Sequence, residues 1–196
     1  MNKVQKYLEK YLKTHCPLQE KKDIKILDIR EKDLTGSLDL TGFTNLETVI
    51  CKNNKINSLD ISRCPNLKML DCSRNRLSSL NMTGLTNLLM LNCENNYLSS
   101  LKLTGCSNLQ VLSCFNNYLT KLDFLNDLSS EKLSQLLIDN NSFINDNSTS
   151  FDLTPFSRAL TAGIIDIRNC HFSDKCLFRP ADKKSDNHFC NEVGEN

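Results

Sequence analysis

Ten cysteines and three histidines occur among 196 residues, and thiols can form disulfides, bind metals or act as nucleophiles. Five zinc-type ligands crowd the C-terminal end: Cys170, His171, Cys176, His188 and Cys190. Zinc sites pair their ligands at short knuckle spacings. The C-x5-C and H-x-C spacings here fit no such template, so a zinc- or redox-responsive tail is kept only as an alternative. The chain has no G-x-x-x-x-G-K-[ST], no G-x-G-x-x-G and no H-E-x-x-H, the patterns that cradle phosphate or hold catalytic zinc. No metal, cofactor or enzymatic centre is expected.

The remaining cysteines obey a different rule. Cys51, Cys72, Cys93 and Cys114 recur every 21 residues, and a fixed period of that length is the signature of a stacked-repeat architecture. Aligned on them, the chain reads LETVICKNNKINSLDISRCPN (46–66), LKMLDCSRNRLSSLNMTGLTN (67–87), LLMLNCENNYLSSLKLTGCSN (88–108) and LQVLSCFNNYLTKLDFLNDLSSEK (109–132). The shared frame is L-x-x-L-x-C-x-x-N-x-L-x-x-L-x-L. An earlier unit (24–45) has Ile29 at the cysteine position and Lys32 at the asparagine position. A later one (133–143) has Ile138 and keeps Asn141, and a degenerate copy (162–172) has Cys170 at the asparagine position.

This frame resembles the leucine-rich-repeat family over about residues 24–172. The second L-x-L of each unit (Leu59/Ile61, Leu80/Met82, Leu101/Leu103, Leu122/Phe124) resembles the short subclass with strands on both sides of the coil. The basic start followed by LTGSLDLTGFTNLETV resembles the cytosolic repeat proteins of mycorrhizal fungi. The resemblance implies an α/β-solenoid that is mostly β: a right-handed coil with a parallel concave sheet, short convex strands and an N-terminal capping helix.

The positions carry physical roles of their own. Side chains alternate faces along a strand, so the leucine and cysteine of L-x-C point inward and stack coil upon coil. A thiol is small and apolar enough to bury where leucine would crowd. Parallel stacking holds the Cβ atoms close to the ~4.8 Å strand spacing, wider than a disulfide favours, so the four are expected to be structural thiols. Cys64 and Cys106 recur at a second inward position, shared with Leu85 and approximately with Phe43. Asn54, Asn75, Asn96, Asn117 and Asn141 stand where the chain leaves the strand, and are expected to pair backbone groups of their own turn and of the neighbouring coil.

The expected organisation is a capping helix at 1–23, leucine-rich repeats at 24–143, an irregular connection with a degenerate terminal repeat at 144–172, and a polar, disordered tail at 173–196. Val4, Tyr7, Leu8, Tyr11 and Leu12 follow helical spacing, and Pro17 ends that helix. The basic residues of this segment fit a solvated helix face.

Net charge is +1, which gives no general affinity for nucleic acid. No apolar run is long enough to span a membrane, and no apolar core of a secretory signal is present. A cytoplasmic location is expected. Function then falls to the outward rows of the concave sheet. One row is Ile26, Thr48, Met69, Met90, Val111 and Gln135. The next is Asp28, Ile50, Asp71, Asn92, Ser113 and Leu137. The third is Arg30, Lys52, Ser73, Glu94, Phe115 and Asp139. The apolar first row is a contact surface for a protein partner, with Met69 and Met90 supplying adaptable contact and Lys52, Arg74 and Glu94 a polar rim. The alternative is a structural module, monomeric or weakly self-associating through its C-terminal end, where the last strand has an open edge.

Overall fold

The computed structural model describes residues 2–143 and the backbone of a short strand at Ile165–Asp166. The connection from 144, the side chains of the degenerate repeat and the tail, with its candidate ligands Cys170, His171, Cys176, His188 and Cys190, lie outside the described residues.

Each repeat contributes one three-residue strand to a single parallel sheet. In chain order these are β1 (Ile26–Asp28), β3 (Thr48–Ile50), β5 (Met69–Asp71), β7 (Met90–Asn92), β9 (Val111–Ser113) and β10 (Gln135–Leu137), followed by the two-residue β11 (Ile165–Asp166). The short strands β2 (Thr35–Asp39), β4 (Lys55–Asp60), β6 (Leu80–Asn81) and β8 (Leu101–Lys102) lie on the opposite side. They pair only as β2·β4 and β6·β8. The register joins like positions: Thr48 opposite Met69, Met69 opposite Met90, and Met90 opposite Val111. Leu136 pairs with Ile165, the alignment expected for the degenerate copy.

Between the sheets every inward position is closed. Leu27, Val49, Leu70, Leu91, Leu112 and Leu136 form one fully buried column, and Ile29, Cys51, Cys72, Cys93, Cys114 and Ile138 the next. Phe43, Cys64, Leu85 and Cys106 stack at the second corner, also buried. There each chain turns twice through three-residue bonds such as Cys64 N–H to Ile61 O and Leu67 N–H to Cys64 O.

The expected asparagine column is a continuous ladder. Asn96 Nδ2 donates to Cys93 O (3.1 Å) of its own turn and to Cys72 O (3.1 Å) of the preceding coil. Its Oδ1 accepts from Leu77 N–H (2.9 Å). Asn75, Asn117 and Asn141 repeat this pattern. Asn54 does the same for the first repeat, reaching Ile29 O and accepting from Leu34 N–H. The residue before each ladder asparagine is left-handed: Asn53, Arg74, Asn95, Asn116 and Asn140 all have φ between 51° and 55°. Asparagine tolerates that region and arginine does so only at a cost.

A second column is exposed. Asn66, Asn87 and Asn108 each donate from Nδ2 to a carbonyl of the preceding coil, Thr44 O, Pro65 O and Thr86 O, at 2.8–3.1 Å. The sequence frame ends its units on these residues, at the same 21-residue period, without giving them a role.

One expectation needs correction. Leu122 and Phe124 do not form a convex strand. Leu122 caps, and Phe124 lies in, a 3-10 helix at Asp123–Asp127. The unit is longer than its neighbours, and the extra chain is taken up as helical turns with Phe124 and Leu125 buried. Leu59 lies in β4 as expected and is half-buried.

The N-terminal helix α1 (Lys3–His15) packs on β2, burying Val4 and Leu8, so it covers the first coil as expected. Asn2 caps it by accepting from Gln5 N–H at 3.0 Å and pins it to the sheet by donating to Ser37 O at 2.8 Å. The contact needs Gly36, because a Cβ there would lie 2.6 Å from the Asn2 side chain.

Removing a ladder asparagine orphans several buried groups at once, at about 1–3 kcal/mol for each. Asn96→Ala is therefore expected to lower the urea midpoint steeply. Arg74→Asn is expected to raise stability by about 1 kcal/mol by relieving the left-handed backbone. A lower midpoint for Arg74→Asn would count against that account.

Candidate functional site

The three outward rows of the concave sheet come together as the sequence places them. In the first row, Ile26 is 64 % exposed and Met90 38 %, Thr48, Met69 and Val111 are half-buried, and Gln135 is exposed. The apolar surface is wider than the row itself, because Leu89 lies beside Met90 and is also 38 % exposed. Sequence reasoning passed over Leu89. The signal was its column, which otherwise reads Lys25, Glu47, Lys68, Gln110 and Ser134.

The second row faces outward but folds back on its own backbone. Asp71 Oδ1 accepts from Ser73 Oγ (2.6 Å) and Ser73 N–H (3.2 Å). Asn92 Oδ1 accepts from Glu94 N–H (3.2 Å). Asp28 takes the Arg30 guanidinium on both oxygens, at 2.8 and 2.9 Å from Nε, and this bond holds the Asp28 carboxyl below its usual range. Outward direction therefore does not mean exposure: Asp71, Ser73 and Ser113 are buried, and Asp71 offers a partner far less than its position implied. Ile50, Asn92 and Leu137 are half-buried.

The third row supplies charge. Lys52 Nζ lies 3.8 Å from Asp71, and Arg74 Nε 3.9 Å from Glu94. Glu94 also accepts from Ser113 Oγ at 3.3 Å. Phe115 is half-buried beside them. At the opposite edge, Glu47 is bracketed by Lys25 (3.5 Å) and Lys68 (2.7 Å), and Lys68 lowers its pKa. These three, with Asn45, Asn66 and Asn87, line a shallow groove of about 430 Å³. On the turn edge, Tyr97 and Tyr118 stack with ring centroids 6.1 Å apart and remain more than half exposed.

The cysteine column contributes packing. Every cysteine among the described residues is a free thiol, and all but the half-buried Cys16 are buried. Burial pushes the Cys51 thiol up to about 12 and those of Cys72 and Cys93 well above the ordinary 9.0. Burial, with Asp60 and Asp127 respectively nearby, raises Cys64 and Cys106 to about 11. Such thiols stay protonated and unreactive. Among the described residues no group of three or more His, Cys, Asp or Glu side chains could hold a metal ion, and no helix is long and apolar enough to cross a membrane.

A coil of short repeats, closed by stacked leucines and an asparagine ladder, is the architecture of a repeat solenoid. A family profile described as leucine-rich repeats, two copies, matches residues 44–86. Among solved structures, the functional domain of InlJ from Listeria monocytogenes, described as including a cysteine ladder, superposes with a TM-score of 0.50 at 28% identity. That match covers 69% of this chain and 33% of the other. A leucine-rich-repeat protein of Leptospira interrogans superposes with a TM-score of 0.56 at 23% identity, over 76% of this chain and 36% of that one. This chain thus spans about a third of the length of these two structures. No curated protein matches it. Residues 44–86 thus match leucine-rich repeats, and the fold is that of a leucine-rich-repeat solenoid.

The raised thiol values fix a pH dependence. Below about pH 9 both folded and unfolded thiols are protonated, and the stability is complete. Above it the unfolded chain loses protons that the native chain keeps, so stability falls as the pH climbs toward 12. Urea midpoints across this range should decline less steeply in Cys93→Ala. Iodoacetamide at pH 8 should modify Cys16 in the native protein and leave Cys51, Cys72 and Cys93 untouched until urea is added. Native labelling of Cys93 would show that the column is open.

Proposed function

We propose that the chain is a non-catalytic scaffold that binds a protein partner on its concave sheet. The observation that carries this reading is the apolar surface of the concave sheet, where Ile26, Met90 and Leu89 are exposed and Met69 and Val111 half-buried. Large apolar side chains gathered on one exposed face mark a contact site more often than singly scattered ones do. Methionine gains nothing from strand geometry, since it is not β-branched, and its flexible thioether suits varied contact. The reading includes a cytoplasmic location, which accords with the free thiols along the core.

Affinity capture with the immobilised chain tests it. Met69→Asp with Met90→Asp should lose the captured protein while keeping a native urea midpoint, and Lys102→Glu, on convex strand β8, should retain it. Equal capture by all three proteins would refute concave docking.

A further inference from the structure

We propose that this concave face selects an acidic peptide segment that carries apolar side chains, an inference that rests on the docking reading above. The charges bordering the apolar row are nearly balanced in number, but they are not equally reachable. Side-chain exposure is 33 % for Lys52 against 12 % for its neighbour Asp71, and 62 % for Arg74 against 16 % for Glu94. At the opposite edge it is 69 % for Lys25 and 54 % for Lys68, against 31 % for the Glu47 between them. At each pair the carboxylate sits deeper and the cation stands above it.

The deep carboxylates are partly occupied by the protein itself. Ser73 bonds Asp71, and Ser113 bonds Glu94. The cations above them are held loosely, at 3.8 and 3.9 Å, beyond hydrogen-bond length. A ligand therefore meets ammonium and guanidinium donors on both sides of a methionine-centred stripe. Carboxylates placed beside Lys52 and Arg74 would form charge-assisted bonds with side-chain donors whose nearest carboxylates lie at 3.8 and 3.9 Å, while Lys25 and Lys68 add exposed positive charge at the other edge. A basic segment would have to pass those cations before reaching any buried acid, and like charges brought together disfavour the wrong partner. A bare polyanion would leave the apolar stripe uncovered.

The row from Ile26 to Gln135 crosses six strands, about 24 Å at the parallel-sheet spacing. That length accommodates about 7 extended residues or about 16 helical ones, which sets the probe. A displayed library of random peptides about 16 residues long is selected on the immobilised chain, and the winners are synthesised and titrated by fluorescence anisotropy. The expected winners have net negative charge and several apolar residues. Their affinity should fall about tenfold in Lys52→Gln with Arg74→Gln, and about tenfold between about 0.05 M and about 0.5 M salt. The charge-neutral pair Met69→Gln with Met90→Gln should abolish binding. The salt titration uses the unaltered chain, so it stands even if a variant fails to fold.

Winners that need the methionines but are neutral or basic, or that ignore salt, overturn the acidic partner and leave concave docking intact. Winners indifferent to the methionine pair overturn the docking reading and this inference with it. Acidic winners without apolar residues, matched by a single-stranded DNA probe, identify a polyanion face and overturn it. A selection that enriches nothing overturns it as well.

Discussion

The structure depends on finding partners for the backbone groups of turns that lie inside it. A chain that reverses this often in a thin stack buries amides and carbonyls that no strand can pair, and each one left alone costs about 1–3 kcal/mol. The ladder asparagines meet that demand with one amide group per coil, because a primary amide donates two bonds and accepts two. The ladder also has a direction. Each asparagine serves its own turn and reaches back to the coil before it. The first coil therefore needs no asparagine of its own. Asn54 supplies Ile29 O and accepts from Lys32 N–H and Leu34 N–H, so Lys32 can stand at the ladder position with its side chain in solvent.

That constraint limits what the core can hold. The column three residues before each asparagine lies wholly inside, and cysteine fills it in four successive coils. In the coils flanking these four the residue becomes Ile29 or Ile138, larger and still fully buried. The thiols contribute volume without reactivity, because the burial that makes them good packing also raises their pKa. A row that reads as chemistry in isolation is thus part of the packed core.

Period and alternation carried most of the fold. The outward rows, the buried leucines, the ladder and the covering helix all follow from residues that repeat or alternate, since repetition forces like residues into register. Features decided by local competition were less legible. Asp71 alternates outward yet is buried, because its carboxyl finds Ser73 two residues on; direction is a property of the strand, exposure a property of what the side chain meets. Leu122 and Phe124 keep the L-x-L spacing, but extra chain in that unit turns it into a 3-10 helix. Leu89 broke its column in plain view and was hidden only because the frame gives that position no role.

The relation between scaffold and surface explains why the concave face can carry information at all. Inward positions are fixed by packing and the asparagines by backbone pairing, so neither can vary without loss of stability. Outward positions touch mainly their counterparts on adjacent strands, at ~4.8 Å, and the constraint on them is mild. The reversal of depth between acids and bases on this face is not required by the fold: Asp28 and Arg30 close on each other within one strand end, whereas Lys52 and Arg74 lean across to the next coil and stop short of contact. A pair serving stability alone would be expected to close as Asp28 and Arg30 do. Lys52 and Arg74 therefore stay reachable above carboxylates that Ser73 and Ser113 already occupy.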